Sequence, residues 1–164
     1  MAAPNKQNTA SLKENEKKWG KALMEAGWTA VPSIILEKQQ ALGLTPVDVN
    51  ILLHLMTYWW HAGNEPFPSK RAIAEAMGYS SRHIQRKIEE LERDGLIKRE
   101  KRFDSAGGQL TNRYTFDGLI AAVLPYAKEK IQHREKNRAE DADRRRRKGR
   151  PKLAAVGGKK PDLD

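Results

Sequence analysis

Two short amphipathic segments joined by a glycine-containing turn constrain the fold of this chain more than any other feature. Ser69 is suited to cap the first predicted helix, and Gly78 to end it. The second helix is predicted to start at Ser80 or Ser81, so the connection is only about three residues long. Apolar residues recur at helical spacing on one side of each segment: Ile73, Ala74 and Met77 in the first, and Ile84, Ile88 and Leu91 in the second.

The residues on either side of this pair extend the pattern. Thr45 and Pro46, a hydroxyl cap followed by proline, predict the start of an upstream helix that continues to about Trp60. Gly95 ends the helix that begins near Ser80, and residues 96–103 and 109–116 are predicted as two strands around a turn. Helix, tight turn and helix make the helix-turn-helix motif, and a following hairpin predicts a winged helix. The expected fold class is therefore mainly α, with the wing as an α+β addition.

The rest of the chain flanks this domain. A helix is predicted over Ser11–Ala26, a short strand over Trp28–Val31 and a further helical stretch over Ser33–Gln40. Pro125 is expected to kink or restart the last helix. The predicted units are 1–30 (a polar arm with a short helix), 31–117 (the winged helix-turn-helix domain), 118–138 (a C-terminal helix) and 139–164 (a disordered basic tail).

The formal net charge is +10, and most of the excess lies toward the C-terminal end. From Lys128 onward, 14 basic and 7 acidic residues give +7, which leaves +3 for the rest of the chain. A sequence pI of 9.9 favours a nucleic-acid partner, because Lys and Arg bind the phosphates of any sequence. Solubility and binding to anionic membranes are alternative uses of the same charge.

Several classes of protein are excluded by composition. The chain has no cysteine, which rules out a disulfide framework, a zinc ribbon and a thiol nucleophile. No apolar run reaches the roughly 18 residues of a membrane span, and the polar N-terminus does not resemble a signal peptide. The histidines lack metal-ligand spacing, and no phosphate-binding loop or nucleophile motif is present. We expect a cytoplasmic, nucleoid-associated protein without enzyme activity, cofactor, metal or membrane contact.

The helix that is predicted to begin near Ser80 carries polar side chains opposite its apolar stripe. Arg82, Arg86, Glu89 and Arg93 fall on the outward face, with Gln85 on the flank. A recognition helix inserts its first two turns into the major groove, where arginine pairs with guanine and glutamine with adenine. The alternative is an ordinary solvated helix with Arg93 paired to Glu89. The predicted base-reading set is Ser80, Ser81, Arg82, His83, Gln85 and Arg86.

Further basic residues are predicted to contact the DNA backbone. The wing hairpin supplies Lys98, Arg99, Lys101, Arg102 and Arg113, which would fix the register of the domain on the duplex. The start of the preceding helix adds Ser69, Lys70 and Arg71, which suit the phosphates beside the groove. For the wing residues the alternative role is protection of an edge hairpin against aggregation.

The predicted tail contains a dense basic block. Its DNA-binding candidates are Arg144, Arg145, Arg146, Arg147, Lys148, Gly149, Arg150, Pro151 and Lys152. The stretch from Lys148 to Lys152 resembles an AT-hook, a short Arg-Gly-Arg-Pro segment that lies in a narrow minor groove, although Lys148 replaces the first arginine. A generic polybasic arm that adds non-specific affinity is the alternative.

One set of residues carries a resemblance to a known family. These are Leu44-Thr45, Pro66-Phe67-Pro68-Ser69, Ile73-Ala74, Gly78-Tyr79-Ser80, Ile84-Gln85-Arg86, Leu91, Gly95-Leu96-Ile97 and Asn112-Arg113-Tyr114. In this order they resemble a bacterial winged helix-turn-helix family of plasmid, phage and mobile-element regulators, related to the N-terminal domains of some replication initiators. The resemblance implies DNA binding, with Ser80 to Arg86 as the base reader.

Three hypotheses of function follow. The first is a sequence-specific transcriptional regulator, such as a repressor, that binds double-stranded DNA as a homodimer. The second is a replication-initiation or partition factor that binds origin DNA and recruits other regulatory or replication proteins. The third is a non-specific architectural nucleic-acid-binding protein that depends on the tail. Aromatic residues such as Trp19, Trp28 and Trp59 would serve as core or dimer interface, or alternatively as base-stacking platforms.

Overall fold

The computed structural model describes residues 6–61 and 63–146, and these ranges are mainly helical with one two-stranded antiparallel sheet. Three helices followed by a two-stranded hairpin confirm the predicted winged helix-turn-helix. The chain divides into two compact units between Ala127 and Lys128. The elements are α1 (Lys6–Trp19), α2 (Lys21–Ala26), α3 (Ser33–Glu37), α4 (Pro46–Met56), α5 (Lys70–Met77), α6 (Ser81–Arg93), β1 (Lys98–Glu100), β2 (Arg113–Thr115) and α7 (Asp117–Arg146).

The core of the first unit is built from the inward faces of α4, α5, α6 and the start of α7, together with residues of α3 and the base of the wing. The apolar stripes that helical spacing predicts for α5 and α6 are buried, except that Met77 is only partly covered. Burial of a large aliphatic side chain contributes about 1.5–3 kcal/mol relative to exposure. The largest fully buried side chains of the helices are Ile51, Leu52, Leu55, Ile73, Ile84, Ile88 and Leu119.

Local hydrogen bonds fix where the three helices begin. At α4, the Thr45 hydroxyl accepts from the backbone N–H of Asp48, and the Asp48 carboxylate accepts from the backbone N–H of Thr45 at 2.8 Å. This reciprocal capping box satisfies two amides that the helix leaves unpaired. The hydroxyls of Ser69 and Ser80 each accept from the backbone N–H three residues later, at 3.0 and 3.2 Å. The predicted caps Thr45 and Ser69 are therefore confirmed, and the predicted start of α6 at Ser80 or Ser81 is resolved with Ser80 as its cap.

Two glycines permit the close packing around α6. Gly78 ends α5 with φ of 70°, a left-handed conformation that residues with a Cβ rarely adopt, and α6 begins three residues later, at Ser81. Gly118 lies in the first turn of α7, where an added Cβ would lie 1.7 Å from the carbonyl oxygen of Gly95. The backbone N–H of Leu119 donates to the carbonyl of Leu96 at 2.8 Å. This contact fixes the start of α7 against the loop between α6 and the wing.

The wing is shorter in regular strand than its sequence predicts. Regular pairing covers only three residues of each strand, with Arg99 opposite Tyr114, and a single bridge joins Phe103 to Gln109 nearer the tip. Between them the hairpin continues through the N–H of Leu110, which donates to the carbonyl of Arg102 at 2.8 Å. Tyr114 is 1% exposed, so the base of the wing is anchored in the core.

The N-terminal segments differ from the sequence prediction. The predicted helix over Ser11–Ala26 starts earlier, at Lys6, and is two helices, because Gly20 has φ of 81° and interrupts it between α1 and α2. Trp28–Val31 is not a strand, since no described segment pairs with it. Two further helices end early, α3 at Glu37 instead of Gln40 and α4 at Met56 instead of Trp60.

The last helix is longer than predicted. It continues to Arg146, eight residues beyond the expected end at Arg138, so residues 139–146 are helical and not part of a disordered tail. Pro125 lies inside this helix without interrupting it. Beyond Ala127, Glu140 lies within 3.9 Å of Lys136 and 3.7 Å of Arg144, each four residues away. Such i,i+4 pairs support an exposed helix.

Candidate nucleic-acid interface

The outward face of α6 carries the residues predicted to read bases. Ile84, Ile88 and Leu91 are buried, while Arg82, Gln85 and other polar residues opposite them are exposed. Arginine and glutamine side chains on a solvated helix face can form the bidentate contacts that distinguish base pairs in the major groove. The helical periodicity therefore predicts the orientation of this face correctly. Its exposed residues are Ser81, Arg82, Gln85, Arg86, Glu89 and Arg93.

The start of α6 presents donors in a defined arrangement. The ring of His83 stacks on that of Tyr79, with centroids 4.8 Å apart and planes tilted by 14°. A terminal nitrogen of Arg86 lies 3.2 Å from Nδ1 of His83. Ser81 follows the capping residue Ser80, so its backbone N–H is among those that a helix leaves free for an anion. The first two turns thus offer guanidinium groups and backbone amides to a partner, whereas Nε2 of His83, also predicted to read bases, is buried.

The supporting helix α5 holds one of the side chains that are predicted to read bases. The ammonium group of Lys70 donates to Oε1 of Gln85 at 2.8 Å, and Nε2 of Gln85 donates to Oε1 of Glu89 at 3.0 Å. These two bonds fix the orientation of the Gln85 amide, with Oε1 toward Lys70 of α5 and Nε2 toward Glu89. Arg71 instead bonds to Glu75 on its own helix at 2.7 Å, and this hydrogen bond raises the pKa of Arg71.

The second half of α6 is tied to α4. Lys87 is 17% exposed and lies 2.8 Å from Oε2 of Glu90 and 3.4 Å from Oδ1 of Asp48. The hydrogen bond to Glu90 raises the pKa of Lys87, and the same bond lowers the pKa of Glu90. Asp48 is the acid of the α4 capping box, so one buried carboxylate serves both the helix start and the packing of α6.

A second cluster joins α6 to the wing. Nε of Arg99 donates to Oε2 of Glu92 at 2.7 Å, and the backbone N–H of Arg99 donates to Oε1 of Glu92 at 3.0 Å. A guanidinium nitrogen also lies 3.8 Å from Glu89. Burial alone would raise the pKa of Glu92, but the hydrogen bonds and charge of Arg99 outweigh this effect and lower it. The sequence predicts that Arg99 contacts phosphate, whereas its side chain is 22% exposed and occupied by these carboxylates.

The remaining wing cations are more accessible. Lys98 pairs with Glu100 at 3.0 Å, and Arg113 lies 3.6 Å from Glu65. The Arg102 guanidinium is stacked over the ring of Phe67, 4.1 Å from its centroid, a contact that orients it without neutralising it. Lys101 is exposed. Four of the five predicted wing residues therefore keep a charge that a phosphate could reach.

Only part of the predicted tail site can be placed. Arg144, Arg145 and Arg146 form the last turn of α7 and are exposed, a position where basic residues interact favourably with the helix dipole. Arg144 lies 3.7 Å from both Glu140 and Asp141. The other predicted tail contacts, Arg147, Lys148, Gly149, Arg150, Pro151 and Lys152, lie outside the described residues.

Sequence reasoning did not identify the residues that hold this surface in place. Lys87, Glu92 and Phe67 have no predicted role, yet each contacts a side chain of the interface or its support. Glu92 lies in α6 and Arg99 in β1, on opposite sides of a turn, so the periodicity of a single helix or strand does not relate them. Among the described residues, no cluster of His, Asp and Glu could hold a metal ion, and no helix is long and apolar enough to cross a membrane.

The sequence model of a helix-turn-helix domain matches residues 42–97, from just before α4 to the start of the wing. The chain carries a winged helix-turn-helix domain. Such a domain is a DNA-binding module. The fold of this chain is similar to that of the N-terminal domain of DnaD protein from Geobacillus kaustophilus HTA426. The TM-score is 0.51 and the identity 20%, over 81% of this chain and 99% of that one. At that level of identity the likeness concerns the fold.

Two further structures are similar to this winged helix-turn-helix chain at lower TM-scores. A possible transcriptional regulator from Methanosarcina mazei Go1 has a TM-score of 0.41 and 15% identity, over 66% of this chain and 85% of that one. The S. aureus MepR–DNA complex has a TM-score of 0.40 and 18% identity, over 68% and 86%. No curated protein sequence matches the chain significantly.

Proposed function

We propose that this protein is a sequence-specific transcriptional regulator that binds double-stranded DNA with α6 in the major groove. The observation that carries the proposal is the exposed face at the start of α6, where Arg82, Gln85 and Arg86 project from a helix whose opposite side is buried. Helix-turn-helix domains contact base edges with this part of the second helix. The same face has the residue types that pair with guanine and adenine.

The backbone contacts follow from the same docking. With α6 in the groove, phosphates on either side would meet the wing and the amide groups at the helix starts. Phosphate contacts give affinity without sequence information, so they complement the base contacts. The residues proposed for this role are Ser69, Lys70, Arg71, Ser80, Ser81, Lys98, Lys101, Arg102 and Arg113.

The proposal is tested by selecting bound duplexes from a random pool and then measuring variants on the preferred duplex. Arg82→Ala and Arg86→Ala should each cost about 1–3 kcal/mol of binding free energy and relax the preference at one base position. Arg93→Ala is the matched control, because Arg93 is exposed on the same helix but in its last turn. If both reader variants bind and discriminate as the native chain does, α6 is not the reading helix.

A homodimer is part of the proposal. Trp19, Leu23 and Trp28 are exposed and, with Leu12, line an apolar groove of about 980 Å³ formed by α1, α2 and the following segment. Exposed apolar surface of this kind marks interaction sites, and dimers of helix-turn-helix proteins bind paired half-sites. Light scattering of the native chain should give twice the monomer mass, and Trp19→Ser with Leu23→Ser should reduce it. A monomeric native chain would contradict this part of the proposal.

Two alternatives use other DNA targets or other residues. Origin binding would use the same face of α6, so variants of this face cannot distinguish it from promoter binding. Direct repeats in the selected DNA, together with a replication defect on gene deletion, would favour origin binding. An architectural protein would depend on the tail, so truncation after Arg146, which leaves α7 whole, should abolish nearly all of its binding. A regulator should keep its sequence preference after the same truncation. The salt slope of the truncated regulator should fall by about 0.9 for each phosphate that it no longer binds.

A further inference from the structure

Arg99 differs from the other wing cations in how its charge is used. The other candidate phosphate contacts of the wing are exposed, stacked on a ring or paired with one acid at the surface. Arg99 instead lies between two carboxylates of α6, and its side chain is 22% exposed. A guanidinium held in this way has few donors left for a phosphate.

The contact between Glu92 and Arg99 involves both the side chain and the backbone of the wing. One carboxylate oxygen of Glu92 accepts from the Arg99 side chain at 2.7 Å, and the other accepts from the Arg99 backbone N–H at 3.0 Å. Charge-assisted bonds of this kind are stronger and more directional than neutral ones. Glu92 therefore holds the strand β1 itself, at the position where Arg99 pairs with the buried Tyr114.

The same cluster reaches a base-reading side chain. Glu89 lies 3.8 Å from Arg99 and accepts a hydrogen bond from Gln85, which is held in turn by Lys70 of α5. This chain of polar contacts runs from the supporting helix across α6 to the wing. With Glu92 included, the network contains the cations Lys70 and Arg99 and the carboxylates Glu89 and Glu92, so it adds no net charge to the surface proposed to bind phosphate.

We propose that Arg99 is a positioning residue for DNA binding, which locks the wing onto α6 through Glu92 and does not contact phosphate. This inference rests on the proposed function, because it assigns how the wing is set relative to the reading helix. The planar fork of arginine is essential to the role, since lysine would supply the charge but not several donors in a fixed plane. The wing cations Lys98, Lys101, Arg102 and Arg113 can then meet the phosphates in a defined register.

The decisive experiment gives opposite signs for the two roles. Glu92→Ala removes a negative charge near the DNA, so it should tighten binding if Arg99 is thereby released to a phosphate. If Glu92 and Arg99 position the wing, the same substitution should raise the Kd for the preferred duplex about tenfold and lower the salt slope by about 0.9 for each phosphate that the wing no longer binds. Glu100→Ala is the matched control, because it removes a wing carboxylate that pairs with Lys98 and not with the Arg99 guanidinium. It should leave binding unchanged or slightly tighter.

Arg99→Lys is the second variant and keeps the charge. A positioning role predicts that it weakens binding as Glu92→Ala does, and that the double variant is no worse than either single one, because both remove the same interaction. A phosphate contact made by charge alone predicts near-native affinity. Near-native affinity of Arg99→Lys, or tighter binding by Glu92→Ala, would overturn the proposal.

A measurement without DNA separates this inference from the proposed function. The backbone N–H of Arg99 should exchange with solvent faster in Glu92→Ala than in the native chain, while amides in the middle of α4 keep their protection. Unchanged exchange at Arg99 would contradict the positioning role even if DNA binding is confirmed. Failure of the native chain to bind any selected duplex would refute the proposed function and leave the exchange result to decide the role of Arg99.

Discussion

The two halves of α6 differ in what their polar side chains do. In the first half, Ser81, Arg82, Gln85 and Arg86 are exposed, and Arg82 makes no hydrogen bond or ion pair within the described residues. In the second half, Lys87 contacts α4, and Glu89 and Glu92 contact the wing. The helix thus separates residues that are available to a partner from residues that hold the neighbouring elements.

This difference matches the distribution of charge along α6, in which the cations Arg82, Arg86 and Lys87 precede the carboxylates Glu89, Glu90 and Glu92. Carboxylates in the first two turns would repel phosphate, whereas carboxylates further along can neutralise cations that the fold needs for its own packing. Glu90 and Glu92 both have a lowered pKa and remain charged at neutral pH. The first two turns therefore carry the positive charge that a phosphate would meet, whereas the carboxylates further along are paired with cations of the fold itself.

The largest effect on stability should come from removing the contact that Lys87, in the second half of α6, makes with Asp48 of α4. Lys87→Ala leaves the buried Asp48 without its cation, and a buried group that loses its partner costs about 1–3 kcal/mol of the free energy of unfolding. Arg82→Ala, in the first half, should change that free energy by less than about 0.5 kcal/mol. Urea denaturation followed by circular dichroism gives both values. Equal effects of the two substitutions would show that the halves do not differ in this way.

A smaller effect should separate folding from binding at the start of α6. Ser80→Ala removes the N-cap bond to the His83 amide and should cost roughly 1 kcal/mol of stability. Ser80→Asp keeps a capping oxygen, so its stability should be close to native. Its negative charge at the proposed phosphate contact should nevertheless weaken DNA binding. If Ser80→Asp binds DNA with native affinity, no phosphate lies at this helix start.

Local signals account for the parts of the fold that could be predicted from sequence. The caps at Thr45, Ser69 and Ser80 depend on hydrogen bonds within four residues, and the stripe of α6 depends on helical spacing alone. Both are encoded in neighbouring residues, so a single sequence reveals them. The face of α6 that is exposed follows directly from the face that is buried.

Interactions between distant residues account for what could not be predicted. Trp28–Val31 has the residue types of a strand, but a strand also needs a partner, which the described residues do not supply. The basic block after Asp143 suggests disorder, yet Glu140 and its basic neighbours extend α7 to Arg146. A basic residue in a wing suggests a phosphate contact, and only the structure shows that Arg99 is paired with Glu92 across the Gly95 turn, the observation behind its proposed positioning role.

Lys70 offers a test of how the supporting helix influences base reading. Lys70→Ala removes the donor that holds Oε1 of Gln85, so the amide can rotate and the preference at one base position should relax by up to about 1 kcal/mol. Arg71→Ala is the matched control, because Arg71 bonds to Glu75 and not to α6. A phosphate contact alone predicts that Lys70→Ala weakens binding to all duplexes equally. Competition between duplexes that differ at a single base pair distinguishes the two results.

The smallest effect concerns the pH dependence of the link between α6 and the wing. Because Arg99 lowers the pKa of Glu92 below its usual value of 4.5, their pairing stabilises the folded state above that value and is lost as the pH falls through the lowered pKa. The native chain should exceed Glu92→Ala in free energy of unfolding by up to about 1 kcal/mol at neutral pH. The difference should shrink toward zero in acid, because a protonated Glu92 no longer pairs with the guanidinium. Urea titrations of both chains from neutral pH downward measure it, and a difference that persists in acid would mean that Glu92 contributes through packing instead of charge.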